Sequence, residues 1–165
     1  MTALPFAVQV NRSARRRKTV GAQMKGGVLV VTVPAWMSKA DEERWAAEMA
    51  RRFARKHTAA AIDLVDRAGA LARRHDLPEP TSITWAEMTS RWGSCTPAAG
   101  SIRISTAVAR FPPWVLDYVL VHELAHLRVA DHSPAFWALV ERYPRAERAR
   151  GFLIAKAGDG DEILC

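Results

Sequence analysis

Cysteine is almost missing from this chain of 165 residues: the only two, Cys95 and Cys165, stand far apart. Two such residues form no disulfide framework, which excludes the small stapled secreted scaffolds and suits a reducing cytoplasm. Long apolar runs are missing too. No stretch approaches the roughly 20 residues that a membrane-spanning helix needs. The N-terminus lacks the apolar core of a signal peptide, so a soluble cytoplasmic protein is expected. Acidic residues are in the minority, 17 against 24 Lys and Arg, which leaves a net charge of +7. That excess implies attraction to something acidic, nucleic acid being the usual candidate, although solvated basic helix faces produce the same balance. No internal repeat is evident. Apolar residues, in contrast, make up 49% of the chain and include six Trp, enough for a real core, and the length suits one domain spanning 1–165.

The segment around which the rest is organised is Tyr118 to Leu127, which contains His122-Glu123-Leu124-Ala125-His126. It follows Pro112-Pro113 and holds no Gly or Pro through Asp131, so a helix is expected to begin near Pro113, where a missing N–H does no harm. One turn apart, His122 and His126 share a face and reach a common ion. Two neutral imidazoles and a third ligand leave a tetrahedral zinc one open position for water. Glu123 points about 100° away around the helix, which makes it a general base for that water and not a ligand. The helix is apolar nearly all round and should be buried. An ionised Glu and two imidazoles buried without partners cost several kcal/mol, about the scale a bound cation relieves. His132 is the expected third ligand and Glu141, on the next helix, its rival. Val129 stands where a metzincin has the glycine of H-E-x-x-H-x-x-G-x-x-H. The turn into His132 therefore falls to Ala130-Asp131, Asp being tolerant of unusual conformations.

Elsewhere the pattern divides the chain into a basic N-terminal hairpin region (1–35), a helical region (36–80) and a core (81–155). Phe6–Val10 alternates weakly as a first strand. The run Arg12, Arg15, Arg16, Arg17, Lys18 is either a solvated connection or a phosphate-contacting arm. Thr19–Met24 and Val28–Val33 read as a hairpin turning on Gly26-Gly27. Ser38 opens a long helix with Asp41 at the capping-box position. Continued straight to His75 it would be about 55 Å long, so a break is expected near His57-Thr58. His57 and His75 read as surface residues. Ser82–Trp85 and Ser101–Ser105 read as strands, with a turn-rich link between them. Ser133-Pro134 starts a short helix, Arg145–Lys156 forms a last one, and an acidic Gly-containing tail follows.

Four blocks, Ser90-Arg91-Trp92-Gly93-Ser94-Cys95, Leu116-Asp117-Tyr118-Val119, His122–Leu127 and His132-Ser133-Pro134-Ala135-Phe136-Trp137, together resemble the YgjP-like family of predicted zinc metallopeptidases. That family is similar to the SprT-like and WLM metalloproteases, which act on proteins crosslinked to DNA. The resemblance covers about residues 82–155. It implies an α+β, minimal zincin-like fold: a small antiparallel sheet packed on an active-site helix bearing H-E-x-x-H, with additional helices. It also implies one zinc ion on His122, His126 and His132, Glu123 as catalytic base, and a peptide or protein substrate. A substrate strand is expected to add to a sheet edge, assigned to Ile102–Ser105. Arg91 and Tyr143 are candidate transition-state or substrate contacts, Arg91 being equally a loop anchor. Cys95 reads as a small buried hydrophobe or, alternatively, an inhibitory thiolate. Asp131 reads as a turn residue or a partner that orients a ligand. Two other functions compete with the zinc peptidase: a nucleic-acid-associated binding module with a structural metal, and a protease recruited to DNA through Arg12–Lys18.

Overall fold

In the computed structural model, whose described residues are 4–157, the apolar segment Val28–Pro34 (β3) is the middle strand of a three-stranded sheet. Gly21–Lys25 (β2) pairs with it antiparallel and Ala7–Ser13 (β1) parallel. The β2–β3 turn sits on Gly26 and Gly27, both at positive φ (52° and 80°). This left-handed pair matches the twist of a two-residue hairpin and penalises any residue with a Cβ. Leu29, Val31 and Val33 point to one side and pack with Met37 and Ala50, the latter on the helix Lys39–Ala60 (α1). Ser38 caps that helix: its hydroxyl accepts from the Asp41 backbone N–H (3.1 Å) and donates to the Asp41 carboxylate (2.8 Å). Glu42, in the first turn, is clamped by Arg12 and Lys39, each at 2.7 Å. Its carboxyl is held below the usual range, chiefly by the hydrogen bond from Lys39.

The chain divides into two compact units, Met1–His57 and Thr58–Cys165. In the second, the break expected at His57-Thr58 comes a few residues later. A new helix, Leu64–His75 (α2), starts at Asp63, whose side chain accepts from the Asp66 backbone N–H at 3.0 Å. Ser82–Ala86 (β4), Gly93–Thr96 (β5) and Ser101–Ser105 (β6) form a second sheet in the order β4-β6-β5. This corrects the expected small antiparallel sheet: β5 and β6 are antiparallel, but β4 and β6 are parallel. The turn-rich link contains a strand, so the chain leaves β4, forms the β5–β6 hairpin and lays β6 back beside β4. Ile102–Ser105 is consequently the centre of the sheet and not its edge. Being paired on both sides, β6 has no backbone groups left for an added strand.

Against this sheet packs the helix Pro113–His126 (α3), surrounded by α2, by Pro134–Val140 (α4) and by Ala146–Ala157 (α5). Eleven consecutive-turn residues from Val115 to His126 are buried, as expected of a helix apolar on every face. Its entry is fixed from α2, where Arg67 reaches the Asp117 carboxylate (2.6 Å) and the Pro113 carbonyl (3.2 Å). Ser133 occupies the N-cap position of α4 but makes no side-chain cap bond. The acidic tail and Cys165 lie outside the described residues.

His75 is no surface residue. It is buried at the end of α2, its ring edge-on to Tyr143 at 5.9 Å, and burial pushes its pKa down. With the folded value below the unfolded one, near 6.5, the neutral ring stabilises the fold fully above about pH 6.5, and that contribution is lost as pH falls. His75→Gln should therefore flatten the fall in melting temperature between about pH 7 and 5 relative to the parent chain. Parallel curves would show that His75 titrates alike in both states.

Candidate metal centre

α3 delivers the first two imidazoles because their spacing is one helical turn. The third arrives from the segment after it. The last turn tightens, with the backbone N–H groups of Arg128 and Val129 both donating to Ala125 (3.0 and 2.9 Å). The chain then bends through Ala130-Asp131 to His132. Among the described residues the only non-glycine residue with positive φ is Asp76. The bend thus needs neither the metzincin glycine nor the left-handed tolerance expected of Asp131.

The three Nε2 atoms form a near-equilateral triangle: 3.3 Å between His122 and His126, 3.2 Å between His126 and His132, and 3.2 Å between His132 and His122. Nitrogen ligands about 2.0–2.1 Å from a tetrahedral zinc stand about 3.3–3.4 Å from one another, so the donor set fits that ion. Hydrogen bonding alone does not explain such a triangle, since each neutral ring brings at most one N–H. The Nδ1 of His126 donates to the Val129 carbonyl (3.2 Å), which leaves the Nε2 lone pair facing the cluster. Burial, helped by the charges of the other two rings, drives the His122 pKa well below its ordinary value. Burial also lowers that of His126, against the opposing bond to Val129. Both rings are accordingly kept neutral, the form that binds metal. Glu141 is exposed and is not among the three residues that converge.

α4 walls the cluster with aromatic rings. Phe136, fully buried, stacks on His126 (centroids 4.3 Å apart) and stands edge-on to His122 and His132, each at 4.8 Å. Trp137 stacks on the exposed His132 at 5.6 Å. In the sequence these two residues enter only through the last block of the family resemblance, and Val129 only as a missing glycine. Their contribution comes from placement beside the imidazoles, which the spacing of the histidines does not reveal.

Glu123 is completely buried and lies against β5 at Gly93. Cys95, two residues along the same strand, has its thiol pushed up to about 11, first by burial and then by the Glu123 charge. It is not among the residues whose ligand atoms converge with the histidines. Tyr143 is placed elsewhere: its hydroxyl donates to the Trp114 carbonyl at 2.9 Å, in the first turn of α3 and two turns from His122. That bond ties Tyr143 to the start of the helix. Arg91 is exposed just before β5, in a shallow cleft of about 240 Å³ that it lines with Trp92 and Lys156. Within the basic run, Arg12 is committed to Glu42 and the Ala35 carbonyl and Arg16 to the Thr19 hydroxyl. Arg12, Arg15, Arg17 and Lys18 are exposed and Arg16 is half-buried.

The architecture and the triad define a chain of metallopeptidase type, and comparison with known proteins gives that class directly. Two solved structures share the fold, each with a TM-score of 0.50: the metallopeptidase zymogens abylysin from Pyrococcus abyssi and jannalysin from Methanocaldococcus jannaschii. Abylysin is 24% identical over 55% of this chain and 91% of its own, and jannalysin 20% identical over 58% and 97%. Residues 35–153 match the YgjP-like, metallopeptidase domain family, and the chain belongs to that family. No curated protein matches it. Among the described residues no helix is long and apolar enough to cross a membrane.

Proposed function

We propose that this chain is a zincin-like peptidase that hydrolyses peptide bonds, with His122, His126 and His132 holding one zinc ion and Glu123 acting as general base. The observation that carries the proposal is the convergence of three Nε2 atoms within 3.3 Å, with Glu123 on the same helix. The bound ion would supply Lewis acidity, polarising the scissile carbonyl and acidifying water. Glu123 takes the proton from the attacking water and passes it to the leaving nitrogen, so that one carboxylate serves both halves of the reaction. The neutral, ring-packed imidazoles keep the ligand set rigid. β5 takes over the substrate-binding role first given to Ile102–Ser105, because it is the edge strand on the α3 side and a substrate segment can extend its ladder. Arg91, exposed at its start, is the candidate contact for substrate.

A structural-metal module is the competing reading. Structural zinc is usually closed by four protein ligands, whereas the cluster among the described residues has three. The deciding experiment is metal removal and return. Chelator-treated protein should lose cleavage of an unstructured protein such as labelled casein, and stoichiometric zinc should restore it. Loading with zinc but no cleavage of casein or of a diverse peptide library would leave the structural reading standing.

A further inference from the structure

Gly93 occupies the first position of β5 in an ordinary backbone conformation, since the positive-φ glycines are Gly26, Gly27 and Gly100. Nothing in the backbone requires glycine there. In a strand glycine weakens the element relative to alanine, so its presence points to a close approach by another group. The neighbour is Glu123. A Cβ on Gly93 would stand 2.7 Å from the Glu123 Cδ and 2.8 Å from its Cγ, and would also meet Oε1. Glu123 is wholly buried on a packed helix, so it has no solvent-facing freedom with which to give way. A second observation places the same strand face at the carboxylate. Cys95 is two residues on and so shares the face of Gly93, and its thiol senses the Glu123 charge.

We propose that Gly93 is a positioning residue for Glu123: the missing side chain leaves the slot in which the carboxylate lies against β5. A side chain at 93 displaces the carboxylate from the place where it takes the proton, while the metal ligands remain untouched. This rests on Glu123 being the general base.

The test is a cycle of four proteins, the parent chain, Gly93→Ala, Glu123→Ala and the double variant, followed by thermal melting, metal content and the visible spectrum of the cobalt-loaded forms. Gly93→Ala should bind one metal with an unaltered cobalt spectrum. Its kcat on a cleaved peptide should fall about 100-fold, the effect of moving a reacting group by about 1 Å, with KM little changed. Its melting temperature should fall in the parent background but hold or rise beside Glu123→Ala, because alanine is the better strand residue once the carboxylate is gone. If Gly93→Ala alone fails to fold, recovery of a folded double variant supports the same conclusion. Additive melting shifts, or Gly93→Ala matching the parent in kcat, overturns it. Glu123→Gln separates this from the reading beneath it. An active Glu123→Gln removes the general base, whereas an inactive one combined with an additive cycle removes only the role of Gly93.

Discussion

Glu123→Gln is expected to retain its metal and its melting temperature while losing activity by about 10²–10⁴-fold, the range for a positioned general base. Glutamine has the same shape, so it fits against Gly93 and leaves α3 undisturbed. Its amide has no basic oxygen strong enough to take a proton from water. The loss should appear in kcat, because the imidazole ligands and the β5 edge that would hold substrate are unaltered. Metal analysis, melting and steady-state rates on one preparation check all three points. Full activity in this variant would mean that a different group removes the proton. Loss of metal would mean that Glu123 acts through the ligand set and not through water.

Phe136→Ala should be the most damaging substitution outside the ligands. The ring is fully buried and touches all three imidazoles. Truncating a buried Phe typically costs about 3–5 kcal/mol, since the transfer free energy and the cavity add. Here the cavity would open beside the triad, so His126 loses the surface on which it stacks. Metal affinity should fall by about 10-fold or more, the scale seen when the supporting shell of a site is removed. Denaturant melts of the metal-free chain report the packing loss, and competition with a chromophoric chelator reports the affinity. Phe136→Leu, which keeps most of the volume, should recover most of both. An unchanged affinity in Phe136→Ala would show that α3 and the Val129 carbonyl alone hold the rings in place.

The site was more legible in the sequence than the sheets around it. His122 and His126 declare themselves because helical spacing turns a four-residue separation into adjacency. A capping box at Ser38 and a hairpin at Gly26-Gly27 are similarly local and were readable as written. Gly93–Thr96 was not, because four residues with Gly, Ser and Thr among them look like a link. Such a strand exists through its pairing with β6, a tertiary effect that propensity does not contain. Missing β5 also left Ile102–Ser105 looking like an edge, whereas the antiparallel sheet was what the family resemblance implied. His75 misled for a related reason: the ring that packs on it, Tyr143, is distant in sequence. The role of Gly93 lay hidden in a quoted motif, since a glycine's purpose depends on what presses against it.

The two ends of the ligand set differ in mechanical character. His122 and His126 ride on a rigid buried rod, whereas His132 belongs to a solvent-facing bend clasped by Trp137. Solvent therefore meets the triad at His132, beside Trp137, while His122 and His126 are enclosed in the core.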